Sequence, residues 1–330
     1  MFKTLLLSTL VALPMAVSAA PVTAVDLSTY VQVGRFALPS NATPVAGSLL
    51  AQEVSAITYN RDTNSLFVIG DGTTSVVQVT KTGQLIDSMT LARGTQPQGG
   101  AFYDSEGLAY VGGGRFVFVE ERFRQLRQFT YAAGTTLGLG DVQTVDLGTD
   151  IGNIGIEGLT FDPLTGGFIA VKQEGPRGIF QTQANFAAGT ATNGSSTTVN
   201  STDLFNPALL GLSIFSDVFA LSNVAGLAGT ADEGNLLVLS AVEGRIVETT
   251  RTGQVLSTLN FVRAPTDTLS ITDQQFEGLT IDDDGILYVT TENGTNPQLF
   301  VFAPTAVPEP MTAGLLLAGL GALSLVRHRR

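Results

Sequence analysis

Between residues 50 and 305 the chain alternates short apolar runs with turn residues. Five runs are almost wholly apolar: "LFVI" from Leu66, "FVFV" from Phe116, "FIAV" from Phe168, "LLVL" from Leu236 and "LYVT" from Leu287. Runs this short and this rich in β-branched and aromatic residues read as strands covered on both faces. Before each stands a second run: "VSAITYN", "SEGLAYV", "IEGLTFD", "VAGLAGT" and "FEGLTID". Gly, Asn, Asp and Pro clusters such as "NRDTNS", "DPLTGG", "ADEGN" and "DDDG" fill the gaps, as hairpin turns require. No long helical periodicity is found, so the pattern predicts an all-β fold.

The paired runs recur at a fixed spacing. Aligned on the Gly-Leu of "EGL", the units begin at Ser55, Glu106, Glu157, Ala225 and Glu277, at intervals of 51, 51, 68 and 52 residues. Each unit holds about four strands. Four strands per repeat of this length describe a blade of a β-propeller. Five starts predict five blades. The long third interval contains a polar segment, "GTATNGSSTTVNST", and the run "LFNPALLGLSIFSDVFALSN", which leaves a sixth blade open. The last unit is one strand short. The unclaimed strand "STYVQVGRFALP" (28–39) is expected to complete it and close the ring without a long exposed edge.

The two ends have a different character. Lys3, an apolar stretch from Leu5 to Val17 and the small residues Val17-Ser18-Ala19 form a secretory leader, predicted to be cut after residue 19. The propeller is expected over 20–305. Residues 306–330 carry Val-Pro-Glu-Pro, an apolar stretch from Thr312 to Val326, and a basic end. That stretch is short for a full membrane span of roughly 20 residues, and its basic end belongs on the cytoplasmic side. This tail resembles the PEP-CTERM sorting signal of Gram-negative bacteria. The resemblance implies transient membrane anchoring, cleavage by an exosortase and delivery to the cell surface or extracellular matrix. A permanent C-terminal anchor is the alternative, and both place the body outside the cytoplasm.

Composition narrows the chemistry. The formal net charge is −12, and four of the 17 basic residues, Lys3, Arg327, Arg329 and Arg330, lie in the two ends. An acidic body argues against nucleic acid or an anionic membrane face as partner. There is no cysteine, and the single histidine, His328, is in the tail. Ser-His and Cys-His catalysis and ordinary zinc sites are therefore excluded from the body. A cation held by this chain should be hard, with calcium the first expectation.

The repeat aims acids at one place. In a propeller the first strand of each blade lines the axis, and the second runs antiparallel to it. First-strand starts and second-strand ends thus share a face. First-strand starts supply Glu106, Glu157 and Glu277; second-strand ends supply Asp71, Glu121 and Glu292. Six carboxylates around one mouth repel unless a cation, protonation or nearby bases offset them. Lys172, Arg122 and Arg177 are the candidate offsetting and ligand-binding residues. The functional reading is a metal or ligand site; the plainer one is that each acid accepts backbone N–H bonds and joins neighbouring blades. "IDDDGI" (281–286) lacks the distal glutamate of a calcium loop and reads as a hairpin turn.

"DSEGLAYVGGGRFVFVEER", "GIEGLTFDPLTGGFIAVKQEGP", "GNLLVLSAVEGRIVETTRTGQVL" and "FEGLTIDDDGILYV" together resemble the SdiA-regulated (YjiK/CarP-like) propeller family, from about Val54 to Phe302. The resemblance implies a periplasmic or membrane-associated propeller, relatives linked to calcium response, and a likeness to propeller phytases. It carries the family's acids onto Glu106, Glu121, Glu157, Glu277 and Glu292. Unit four departs, with Ala225 and Ala241 at the matching positions. Three functions follow: a surface propeller binding a cation, or a matrix polysaccharide or envelope ligand, at the mouth; a calcium-dependent phosphoesterase; or a structural interaction module. The scarcity of bases disfavours the second.

Overall fold

The computed structural model describes residues 22–40, 50–71, 73–265, 267, 269–293 and 296–305. The leader (1–19) and the tail (306–330) lie outside the described residues. Five small antiparallel sheets are arranged as the blades of a closed β-propeller. Among the described residues the only helical pieces are short 3-10 turns, and no helix is long and apolar enough to cross a membrane.

Blade 1 runs outward from the axis through Val54–Asn60, Ser65–Gly70, Ser75–Val79 and Leu85–Leu91. Blade 2 uses Ser105–Gly112, Arg115–Glu120, Gln125–Thr130 and Gln143–Asp146. Before its last strand, Thr136–Leu137 laps back in parallel onto the outer edge of blade 1. Blade 3 has three strands, Ile156–Asp162, Gly167–Lys172 and Gly178–Thr182. Past them the chain leaves as a separate hairpin, Ala184–Asn185 with Thr190–Ala191. Blade 4 comprises Asp217–Ala220, Leu236–Ser240, Arg245–Thr249 and Val255–Asn260. Blade 5 comprises Phe276–Ile281, Leu287–Thr291 and Gln298–Pro304, closed by the N-terminal Tyr30–Ala37. The closing pair runs antiparallel from Tyr30 opposite Pro304 to Ala37 opposite Gln298.

Among the described residues five blades are observed and no sixth. The expected start of unit four at Ala225 is corrected. Ala225–Leu227 is a 3-10 turn, and the inner strand of blade 4 is Asp217–Ala220, from the run that had suggested an extra blade. The "DDDG" segment is a hairpin turn: the Gly285 N–H donates to the Asp282 carbonyl at 3.0 Å, and the Asp282 carboxylate accepts from the amides of Asp284 and Ile286.

The second strands are apolar because each is sandwiched. Leu66, Val68, Phe116, Phe118, Ile169 and Val171 are fully buried. The buried apolar side chains fall into five clusters, one for each blade-to-blade interface, including that between blades 5 and 1. At roughly 1.5–3 kcal/mol per fully buried large side chain, these interfaces are the main source of stability. Polar staples add register. The hydroxyls of Thr58, Thr160 and Thr280 each accept the backbone N–H of the next inner strand, at Tyr110 (3.3 Å), Ala220 (3.2 Å) and Tyr59 (3.1 Å). On the face opposite the mouth, Asp162 of blade 3 is fully buried and takes two hydrogen bonds of 2.9 Å from the Arg251 guanidinium of blade 4.

Candidate functional site

The phrase "EGL" has a local explanation in which each residue has its own task. In blades 1, 2, 3 and 5 the pairing of the inner strand skips a step at the acid position: between Val54 and Ala56, Ser105 and Leu108, Ile156 and Gly158, and Phe276 and Gly278. A bulge at this point frees Glu106, Glu157 and Glu277 from the ladder and re-aims their side chains. The glycine that follows is needed for close approach. A Cβ on Gly158 would stand 2.5 Å from the Asp217 Cα, and one on Gly107 2.4 Å from the Leu159 nitrogen. The leucine then packs between blades, as Leu108, Leu159 and Leu279 do.

Blade 4 reverses the first two roles. Ser216 occupies the acid's position and Asp217 the glycine's. The Asp217 carboxylate accepts the Leu279 amide of blade 5 at 2.7 Å and the Leu159 amide of blade 3, bridging the two neighbouring inner strands. It is a blade-joining acid of the kind expected on the plainer reading, and it stands at a position where the repeat gave no acid.

The six predicted acids do face a common space at one end of the axis. Glu106 interacts electrostatically with Glu157, Asp71, Glu277 and Glu121. Two more acids join them. Glu53 hydrogen-bonds to Asp71, Asp104 to Glu121, and Glu53 and Asp104 both face Glu292. Glu53 and Asp104 each stand two residues before a first-strand position, with left-handed backbone at φ 48° and 57°. Sequence reasoning missed both, although the repeat alignment places them in register. Glu121 also accepts the Gly155 amide at 2.8 Å, tying blade 2 to blade 3.

Beneath the acids, inner-strand residues from all five blades, among them Ile57, Leu108, Leu159, Phe219 and Leu279, enclose a pocket of about 20 Å³. That is space for about one water below the acid-lined cup. To one side, a cavity of about 310 Å³ opens beside Asp71, lined also by Thr73, Thr90, Arg93, Gln98 and Phe102.

Burial in this cup is the main force on the acids' proton affinities, and mutual repulsion adds to it. Glu106, 9 % exposed, and Glu157, 8 % exposed, are raised well above the ordinary glutamate range. Glu277 is pushed up to about 8 by burial, with Glu292 next. Asp71 rises to about 7 through burial and the charge of Glu53, and Glu121 to about 7 through burial and its hydrogen bond to Asp104. Glu292 is raised for the same reasons. Glu157 and Glu121 share a hydrogen bond, and burial raises both. At Asp217 three amides pull the pKa down and burial, the larger influence, pushes it up.

The predicted bases are placed differently from one another. Arg122 pairs with Asp104 and lies over the Tyr103 ring at 5.1 Å. Lys172 is turned toward the carbonyl oxygens of a neighbouring loop, donating to Gly175 at 3.2 Å and to Asn200 at 3.3 Å. Arg177 donates to the Ser213 carbonyl at 2.9 Å. Of the three, only Arg122 touches an acid of the mouth. Among the described residues no group of three or more acids is already placed to hold a metal ion. Three buried carboxylate oxygens, Asp71 Oδ1, Asp104 Oδ2 and Glu277 Oε2, make no hydrogen bond, and of these Asp104 Oδ2 is ion-paired with Arg122. An all-oxygen donor set with unpartnered oxygens fits a hard cation better than a soft one.

The chain is similar to several solved structures. A luciferin-regenerating enzyme is 12% identical, covering 88% of this chain and 96% of that one, with a TM-score of 0.45. A gluconolactonase from Xanthomonas campestris is 12% identical over 81% of this chain and 97% of its own, with a TM-score of 0.42. A virginiamycin B lyase from Staphylococcus aureus is 10% identical over 81% and 69%, with a TM-score of 0.36. Residues 30–303, from the closing strand to the end of blade 5, fit the SdiA-regulated family, and the chain belongs to that family.

Proposed function

We propose that the protein is an exported, non-catalytic propeller whose acidic mouth binds a hard cation, calcium first, at the cell surface or in the extracellular matrix. The observation that carries this reading is the enclosed set Glu106, Glu157, Glu277, Asp71 and Glu121. All five are raised by burial, and the described bases supply one guanidinium among them. A cation entering the cup would relieve the repulsion and release protons. Glutamates are long enough to turn toward it, and Asp71 Oδ1 and Glu277 Oε2 have no bond to give up. The cavity beside Asp71 lies at the lower end of the usual size for a small-ligand site and gives an envelope or matrix ligand room next to the ion. Export and sorting rest on the sequence of the two ends. The leader would direct secretion, and the tail would anchor the protein until an exosortase removes it.

Hydrolysis of a phosphoester at this mouth has less support. It needs cations open to a phosphate, whereas Arg122 is engaged by Asp104 and Lys172 is buried. Calcium titration followed by thermal melting at pH 8 tests the proposal. The expected result is a saturable rise in Tm, about 2.7 kcal/mol of added stability at a hundredfold excess over Kd. The rise should be lost in the Glu106→Gln, Glu277→Gln double variant. No shift at millimolar calcium overturns the reading and leaves the mouth as a structural joint.

A further inference from the structure

Outside the acidic cup, two cations are buried side by side with no direct ion pair; Asp203 acts on Lys172 electrostatically while its Oδ1 accepts the Ile179 amide. Arg124, in the turn after Arg115–Glu120, is fully buried, and Lys172, at the end of Gly167–Lys172, is 5 % exposed. Neither forms an ion pair with a described carboxylate. The partners they do have are neutral oxygens of one short segment and one turn. Arg124 donates to the Val199 carbonyl and, at 3.5 Å, to the Ser201 hydroxyl; its Nε, also buried, has no partner. Lys172 donates to the Asn200 side-chain oxygen at 3.3 Å and to the Gly175 carbonyl at 3.2 Å. Gly148 leaves the space the guanidinium occupies: a Cβ there would stand 2.2 Å from Arg124 Nη1.

Buried charges whose hydrogen bonds all go to neutral oxygens are an expensive arrangement, and an anion in direct contact is the partner that would repair it. Burial lowers the pKa of both groups. The adjacent Arg124 lowers Lys172 further, while Asp203 opposes the effect. The covering segment is thin. Thr198 and Thr202 are tied down on either side, the first by a 2.8 Å bond from the Thr149 amide to its carbonyl, the second through Asn193 at 2.8 and 2.9 Å. Between them, Val199, Asn200 and Ser201 make no backbone–backbone hydrogen bond to a described residue, and the Val199 side chain is 60 % exposed. Little apolar burial therefore holds the strap in place.

We infer that Arg124 and Lys172 form a binding site for a doubly charged oxyanion, a phosphoryl or sulfate group, over which Val199–Ser201 lies as a displaceable neutral stand-in. The carbonyl of Val199 and the amide oxygen of Asn200 occupy the places of two anion oxygens. The bonds in place run from ionised donors to neutral oxygens; a divalent oxyanion adds full charge attraction and, unlike chloride, offers several oxygens to the guanidinium fork and the ammonium.

The test uses the folded protein in chelator, which keeps it separate from the mouth, with inorganic phosphate, sulfate and acetate compared at equal ionic strength. A saturable rise in Tm with phosphate or sulfate beyond that with acetate is expected, and a response to phosphate alone identifies the phosphoryl group as the ligand. Lys172→Met should weaken the apparent affinity about tenfold or more. Asn200→Asp, an exposed change that does not threaten folding, brings a tethered carboxylate to Lys172. It should raise Tm in anion-free buffer and remove the phosphate response. No saturable response to either divalent anion, or an undiminished one in Asn200→Asp, overturns the inference.

Discussion

Replacing Glu277 by glutamine tests whether the acids of the cup are held protonated by burial. Glu277 is raised from 4.5 to about 8. At about 1.4 kcal/mol per pH unit, this is a ceiling of about 5 kcal/mol. Glu277 is partly open to the cup, and its titration is shared with Glu292 and Glu121, so we expect about half of that. The folded protein binds this proton more tightly than the unfolded chain does. The contribution to stability is therefore fully present below pH 4.5 and is lost as pH rises through about 8. Glutamine imitates the protonated acid and never ionises. In chelator, Glu277→Gln should match the wild type at pH 4.5 and exceed it by about 2–3 kcal/mol at pH 9. Urea denaturation followed by circular dichroism measures this, since the chain has no tryptophan. Asp162, Glu243 and Asp267 have lowered pKa values and act in the opposite sense. Their stability is lost as pH falls through the acid range, below the window in question. A gap independent of pH, or a wild type more stable at pH 9 than at pH 6, would refute the reasoning.

Other expectations follow from the same geometry. Gly158→Ala forces a methyl group against the Asp217 backbone and should cost about 2–4 kcal/mol in urea unfolding, whereas Ala56, at the matching position of blade 1, already carries that methyl. Arg251→Met leaves the Asp162 carboxylate buried without its partner; a loss of about 3–5 kcal/mol is expected, shrinking toward low pH as Asp162 takes up a proton. Asp217→Asn keeps the size of the bridge but weakens its bonds to Leu159 and Leu279, and Asp217→Ala removes them; the two should rank in that order of Tm. Calcium affinity at the mouth should tighten from pH 6 to pH 9, read by isothermal titration, because bound protons compete with the ion.

Much of this was legible in the residues, and the gaps have physical causes. "EGL" marks three inner strands because bulge, close approach and interblade packing each demand one residue type. Blade 1 follows with "SAI", where the close approach tolerates an alanine. Blade 4 was misplaced because its strand "DVFA" has no glycine: Asp217 fills the gap between strands with a carboxylate, and the Gly-Leu found downstream belongs to a turn. The apolar second strand Leu236–Ser240 was the stronger marker there, since sandwiching leaves little freedom of composition. The acids Glu53 and Asp104 precede the strands and carry no periodicity of their own. The surroundings of Lys172 could not be read from the strand register, because one of its partners, Asn200, comes from the polar segment that follows blade 3.

The clasp that closes the ring has a mechanical consequence. Tyr30 lies opposite Pro304, so the chain enters and leaves at the same end of one antiparallel pair. Tension applied through the two ends loads the ladder from that end, and its hydrogen bonds rupture one after another instead of sharing the load in shear. Tension on the N-terminal side would first strip Val25 and Leu27 from their blade 4 contacts at Asp232 and Ser257, and then unzip the closing pair of blade 5.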